Sequence, residues 1–327
     1  MKQVIIIKLS NHLGGGNIVL DHLDPIAINY TLIKKKKFYN IFLILLRLIL
    51  IKIKYSSKKY TLVASDPILT ILLYFIGVKF IRFVQADDLV IFKKRIPILF
   101  FYLYKKFYKS SFKQKYFVNS VFVKKINDQR YRCQKNYLGI VYPGTNFKNI
   151  KGTKKEFFLI YVLRKAPWKG KDLFFNLLNN YDFSKNKILI IDVDNIFKEN
   201  YGSNFKILKR INQKMMEQYF NKSQFYLSTS QNEGFGLPGI EAMSCSCIPL
   251  LPNIGGHIDY TTSQNCFLYD LNNIYSLVEV IKNAIHIKND KTKINDLQKN
   301  CLLTSSKYNW DNTKNMFAKL DYNNVDR

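Results

Sequence analysis

Two α/β domains, each a parallel Rossmann-like sheet, are what this sequence predicts, and three observations carry the prediction. The chain has 327 residues and is 47% hydrophobic, enough to bury two cores of ordinary size. A short apolar run, Val4 to Ile7, leads into Gly14, Gly15 and Gly16 and then a helical stretch, the layout of a first βα unit. That layout opens again at Phe157-Phe-Leu-Ile-Tyr-Val-Leu163, after a polar linker ending near Lys155.

Charge narrows the partners. Lysine and arginine number 51 against 23 aspartate and glutamate, a net charge of +28. Residues 1 to 150 hold 27 bases and 6 acids, a balance of +21, and contain no glutamate. An AT-rich genome accounts for much of the lysine, but it would raise glutamate as well. An anionic partner for the first half follows, a membrane surface or a nucleic acid. The five cysteines, at 133, 245, 247, 266 and 301, have no paired CxxC spacing and read as buried thiols of a cytosolic protein, not as a metal site.

In chain order, the run at Val4–Ile7 is too short, and too soon interrupted by Lys8, for a signal peptide. A helix is expected from Ile18 to about Tyr30. His12, in the loop between, either lines a ligand cleft or is an ordinary loop histidine. Lys34 to Lys37 and the stretch Phe38–Lys52 are too short, and broken by Arg47, to span a bilayer, which takes about 20 apolar residues. As a helix this stretch sets Lys36, Asn40, Arg47 and Lys54 on one polar line, which suits either a basic helix lying in a membrane interface or a helix covering the first core.

Tyr60–Ser65 reads as a strand, Ile68–Gly77 as a helix and Val78–Val84 as the next strand, ending in Gln85-Ala-Asp87-Asp88. Strand carboxyl ends are where ligands sit in parallel sheets, so Gln85 and Asp87 stand at a candidate ligand position. From Phe92 to Lys125 bases alternate with aromatics, a pattern that fits lipid headgroups or stacked bases. No recognised nucleic-acid module accompanies it. In the second half, strands are expected at Lys187–Asp192 and Gln224–Ser230, a helix at Ile207–Phe220, and a last core strand at Cys247–Pro252 before Gly255 and Gly256.

The stretch with the most chemistry follows the strand at Gln224: Glu233-Gly-Phe-Gly-Leu-Pro-Gly-Ile-Glu241. Gly234 and Gly236 permit a sharp turn and close approach to a ligand, and Pro238 favours a helix start. Glu233 then stands before the helix and Glu241 about one turn inside it, with the helix amides as an anion site between them. Phosphate on the amides and hydroxyls on the carboxylates describe a nucleotide sugar.

This stretch resembles the donor site of retaining GT-B glycosyltransferases, glycosyltransferase family 4. Tyr142-Pro-Gly-Thr-Asn146 is similar to that family's interdomain crossing, Arg164 and Lys169-Gly170 to its diphosphate-binding cations, and Asn309-Trp310-Asp311 to its terminal helix. The resemblance implies a GT-B fold, two Rossmann-like domains facing a central cleft. It places an acceptor-binding domain at 1–148, a donor-binding domain at 149–308, and a helix at about 309–327 returning to the first. By the same resemblance Glu233, Arg164 and Lys169 are catalytic; Gly14, Gly15, Gly234, Phe235, Gly236, Leu237 and Glu241 bind the donor; His12, Gln85 and Asp87 contact sugar or acceptor. Members commonly carry a histidine where this chain has Gln85 or Asp87, which leaves sugar and acceptor open.

The resemblance further implies retention of anomeric configuration, hexosyltransferase-type activity, and no metal or cofactor beyond the nucleotide-sugar substrate. With the charge asymmetry, the expectation is a bacterial peripheral protein of the cytoplasmic leaflet, transferring sugar to a lipid-linked saccharide in surface-polysaccharide biosynthesis, with no nucleic-acid partner. The alternatives are a basic nucleic-acid-binding protein and a GT-B protein without transferase activity.

Overall fold

The computed structural model describes residues 3–10, 15–23, 27–33, 41–55, 60–93, 98–197 and 202–321. The chain divides into two compact units, Met1–Gly144 with Trp310–Arg327, and Thr145–Asn309.

The first unit opens with β1 (Gln3–Ser10), α1 (Gly15–His22) and β2 (Ala27–Ile33). The helix expected over 18–30 is therefore shorter, and Ala27–Ile33 is a strand, parallel to β1 with Val4 opposite Ala27. Alternation in Ala-Ile-Asn-Tyr-Thr-Leu-Ile is the β signal that the helical reading passed over. Next come α2 (Ile41–Tyr55), β3 (Tyr60–Ala64), α3 (Pro67–Phe75), β4 (Ile81–Val84), α4 (Asp88–Lys93), α5 (Ile98–Ser110), β5 (Tyr116–Val118), α6 (Val121–Tyr131) and β6 (Tyr137–Ile140). The sheet is parallel in the order β2-β1-β3-β4-β5-β6.

Local signals account for the helix starts. The Asp66 carboxylate accepts from the Ile68 and Leu69 amides at 2.9 and 3.0 Å with Pro67 at the start of α3, and the Ser120 hydroxyl accepts from the Val123 amide at 3.1 Å to cap α6. Side chains alternate across the sheet. Ile5, Ile7 and Val84 meet α2, α3 and α5 on one face, while Val4, Ile6, Phe83 and Phe117 meet α1 and the terminal residues Trp310, Phe317 and Leu320 on the other.

The second unit runs through β7 (Phe157–Leu163), α7 (Lys171–Asn180), β8 (Ile188–Asp192), β9 (Phe205–Lys209), α8 (Gln213–Asn221), β10 (Ser223–Leu227), α9 (Leu237–Ser244), β11 (Ile248–Pro252), β12 (Phe267–Tyr269), α10 (Ile274–Ile287) and α11 (Lys291–Ser305); α12 (Trp310–Ala318) then joins the first unit. The helix expected over 207–220 begins only at Gln213. Phe205–Lys209 is instead the edge strand of the sheet, whose parallel order is β12-β11-β10-β7-β8-β9.

That order matters for function. From β7 the chain builds outward through β8 and β9, then returns to the other side of β7 with β10. The reversal puts the loops after β7 and β10 at neighbouring strand ends, the switch point at which doubly wound sheets take ligands. All five cysteines are buried thiols, and no helix among the described residues is long and apolar enough to cross a membrane.

Candidate active site

The loops after β7 and β10 are stitched together by the backbone. The Gln231 amide donates to the Trp168 carbonyl at 2.7 Å, and the Thr229 hydroxyl to the Lys169 carbonyl at 3.2 Å. Thr229 is itself held at the strand end by the Tyr161 hydroxyl, 2.8 Å away. Gly170 makes the junction possible. Its φ of +67° is left-handed, and a Cβ there would run into the Thr229 backbone carbonyl.

Lys169 is thereby delivered to Glu233, and the ammonium and carboxylate form a direct ion pair. The Lys169 side chain is 27% exposed and that of Glu233 14%. Burial acts to raise the Glu233 carboxyl, but the Lys169 charge, His257 and hydrogen bonds from Lys169 and Ser230 outweigh it and hold the group below the usual glutamate range. Glu233 is an anion at neutral pH.

Beyond Glu233 the chain turns through Gly236, whose φ of +84° again requires glycine, into α9. Leu237 is the first helical residue and Pro238 the second, so Glu241 opens the second turn. Its N-cap residue, Gly236, has no side chain with which to cap the helix. The turn is supported from below: the Gly256 amide donates to the Glu233 carbonyl at 3.1 Å, and the Tyr260 hydroxyl to the Gly236 carbonyl at 2.9 Å. His257 lies under Gly236, with Nδ1–H donating to the Pro252 carbonyl at 3.2 Å. Burial lowers its pKa, partly opposed by Glu233 and the Pro252 carbonyl, which favours a neutral imidazole.

Glu241 contrasts with Glu233. No side chain among the described residues pairs with it, and burial alone pushes its carboxyl up to about 7. A carboxylate held without a partner beside a helix start can accept hydroxyl groups from a ligand.

Arg164 follows β7, and its Nε donates to the Asp194 carboxylate at 3.2 Å. The same oxygen accepts the Lys165 amide at 2.7 Å. Asp194 thus orients the guanidinium across the β7 and β8 strand ends. Asp192, fully buried, shapes that loop by accepting from the Ile196 and Phe197 amides at 3.1 and 2.9 Å.

Of the residues singled out from sequence, Lys169, Glu233 and the glycine turn are gathered at the β7–β10 reversal. Arg164 stands at the same strand end, and Glu241 follows on α9. Asp194, His257 and Tyr260 were not foreseen. Asp192-Val-Asp194 at a strand carboxyl end was the available signal for the first; His257 and Tyr260 carry none beyond following Gly255 and Gly256.

In the first unit Gly15 begins α1, whereas His12, Gly14 and Lys34 to Lys37 lie outside the described residues. Gln85 stands at the end of β4, donating to the Ser65 hydroxyl at 2.7 Å and accepting the Asn119 amide on its carbonyl at 2.8 Å. Asp87 is buried, ion-paired with Arg130, and accepts the Val90 amide of α4 at 3.3 Å. Its carboxylate already serves the fold.

Residues 144–300 match the family described as glycosyl transferases group 1. An uncharacterized glycosyltransferase of Methanocaldococcus jannaschii is 26% identical over 193 residues, 58% of this chain and 54% of that protein, so the match spans about half the relative's length. Sucrose-phosphate synthase from Thermosynechococcus elongatus superposes with a TM-score of 0.78 at 13% identity, covering 98% of each chain. Anabaena HepE in complex with UDP-glucose superposes with a TM-score of 0.76 at 14% identity, covering 97% of this chain and 98% of that one. The two α/β units are those of the GT-B fold, and the stretch that matches glycosyl transferases group 1 holds the Lys169–Glu233 pair and the glycine turn.

Proposed function

We propose that this chain is a retaining glycosyltransferase that moves a hexose-type sugar from a nucleotide-sugar donor to a saccharide acceptor. The observation that carries the reading is the gathering at one strand reversal of two cations, an anionic glutamate and a glycine-led helix start. Diphosphate gains negative charge as the glycosidic bond breaks, and preorganised positive charge stabilises that change selectively. Arg164 and Lys169 supply it, with the amides of the turn from Gly234 to Leu237. No metal is then required to neutralise the leaving group.

Glu233 holds the transferred sugar and steadies its oxocarbenium-like transition state. Glu241, unpaired among the described residues, takes the ribose hydroxyls. The acceptor hydroxyl attacks from the face the diphosphate leaves, and a departing phosphate oxygen takes its proton, which retains configuration. Support for the donor class comes from HepE, a GT-B neighbour crystallised with UDP-glucose.

The acceptor is bound by the first unit and is carried on a lipid, in the assembly of a cell-surface polysaccharide at the cytoplasmic leaflet. The +21 balance of residues 1 to 150 supports a peripheral attachment there. A panel of nucleotide sugars incubated with lipid-linked saccharide extracts tests the whole reading. Transfer with an α-linked product from an α-linked donor, read by proton NMR, is the expected result; an inverted anomer or no transfer from any donor refutes it.

A further inference from the structure

Three helices of the first unit lie side by side on one face of its sheet. Leu48 and Ile51 of α2 and Leu69 and Leu73 of α3 share a core with Ile5 and Ile7 of β1, and Ile71 of α3 joins the core that holds Tyr108 of α5 and Val84 of β4. They are also tied to one another. The Lys52 ammonium donates to the Ile76 carbonyl at the end of α3 at 2.7 Å, and the Phe75 ring meets Phe107 of α5 edge-on at 4.9 Å.

The outward side of this layer is apolar in a way that a solvated surface rarely is. Leu50 and Ile53 on α2, Phe75 on α3, and Ile98, Tyr102 and Leu103 on α5 are all exposed, Ile53 and Ile98 to 71% and Tyr102 to 63%. Scattered exposed leucines need no explanation, but six large apolar side chains on three adjoining helices mark an interaction surface. Lys54, Lys105, Lys106 and Lys109 stand among them, all exposed, and α2, α3 and α5 contain no acidic residue.

We propose that this face, α2–α3–α5, seats the protein on an anionic lipid bilayer, with Ile53, Phe75, Ile98 and Tyr102 entering the headgroup–acyl boundary and the lysines of α2 and α5 on the phosphates. Apolar side chains ringed by lysine, with no acid to repel lipid phosphate, match a bilayer interface, where aliphatic stems enter and ammonium groups stay with the headgroups. Tyrosine and phenylalanine suit the same depth, one end apolar and the other tolerating water. This inference rests on the membrane part of the reading above and is independent of the donor chemistry. It also relocates the contact, away from reliance on Lys34 to Lys37 and onto the helical layer.

Flotation with vesicles of phosphatidylglycerol and phosphatidylcholine, against phosphatidylcholine alone, is the test. Two triple variants are compared with the wild type: Lys105→Glu, Lys106→Glu, Lys109→Glu, and Ile53→Ser, Phe75→Ser, Tyr102→Ser. All six positions are solvent-facing, and each variant's melting temperature and nucleotide-sugar binding are read in parallel. The wild type should float with the anionic vesicles, and each variant should lose roughly a hundredfold or more in vesicle partition, with folding and donor binding retained. Ile98→Trp should add a fluorescence that brominated phosphatidylglycerol quenches. A wild type that floats while both variants float equally well overturns this face and leaves membrane attachment standing. A wild type that never floats overturns the proposal. One that forms a dimer dispersed by the serine variant, without floating, assigns the face to a second copy and overturns it also. Donor binding, scored separately, keeps the transferase reading apart from all of these.

Discussion

Lys169 and Glu233, 64 residues apart in sequence, are ion-paired across the loops that follow β7 and β10. Each serves as the other's counter-charge, and on the proposed reading a donor diphosphate would compete with Glu233 for the ammonium. Lys169→Ala should therefore act twice. Turnover should fall by about a hundredfold, the usual cost of removing one preorganised charge stabiliser. Glu233 should also lose what holds its pKa down. A depressed carboxyl contributes stability above its unfolded pKa and loses it as pH falls through the folded one, so the stability deficit of Lys169→Ala, about 1 to 3 kcal/mol at neutral pH, should shrink in acid. Urea unfolding at pH 7 and pH 4 checks this; an equal deficit at both would mean that the pair carries no electrostatic stability.

Glu241 titrates the other way. With its carboxyl raised to about 7, stability is fully present below the unfolded pKa and is lost as pH rises through 7. Ribose hydroxyls donating to the carboxylate favour its charged form, so donor binding near pH 6 should release a proton and affinity should weaken below pH 7. Calorimetry in two buffers of different ionisation enthalpy measures the release. Glu241→Gln should abolish it; proton release unchanged in that variant would place the titrating group elsewhere.

Asp194 should matter through Arg164. Its carboxylate receives the guanidinium at 3.2 Å, so Asp194→Ala should lower kcat/KM by about tenfold or more while leaving folding intact, the loss of one charge-assisted hydrogen bond. In the Arg164→Ala background the same change should add little, since a positioning residue has nothing left to position. Additive losses would show that Asp194 acts independently.

Gly170→Ala should distort the site without touching a charge. The left-handed φ and the collision with the Thr229 carbonyl together predict a loss of about 2 to 4 kcal/mol and a displaced Lys169. A melting temperature equal to wild type would mean that the junction yields more easily than its packing indicates.

Much of this site could be read in the chain. Glycines at 234 and 236, Pro238 and two glutamates eight positions apart are local signals, and local signals place a turn and a helix start correctly to within a residue. Arg164 and Lys169 were singled out by resemblance, and the structure puts both on the loop that follows β7. What escaped depends on distant segments. Asp194 reaches Arg164 from the next strand, and His257 and Tyr260 support the glycine turn from beyond β11. The first part of the strand at Ala27–Ile33 and the last part of the edge strand at Phe205–Lys209 were read as helix because short alternating runs beside a helix carry little periodic signal, and pairing with β1 and β8 decides them. On α5, spacing alone did not separate the buried Tyr108, which stacks on Arg82, from the exposed Tyr102.

The central claim, that the second unit binds a nucleotide-sugar donor through Glu241 and the turn before it, is tested most directly by calorimetric titration of wild type and Glu241→Ala with a panel of nucleoside diphosphates and their sugars. At least one should bind the wild type, and Glu241→Ala, while still folded, should bind it about ten to a hundred times more weakly. Equal affinity in the two proteins, or no binding by the wild type to any member of the panel, would contradict the account.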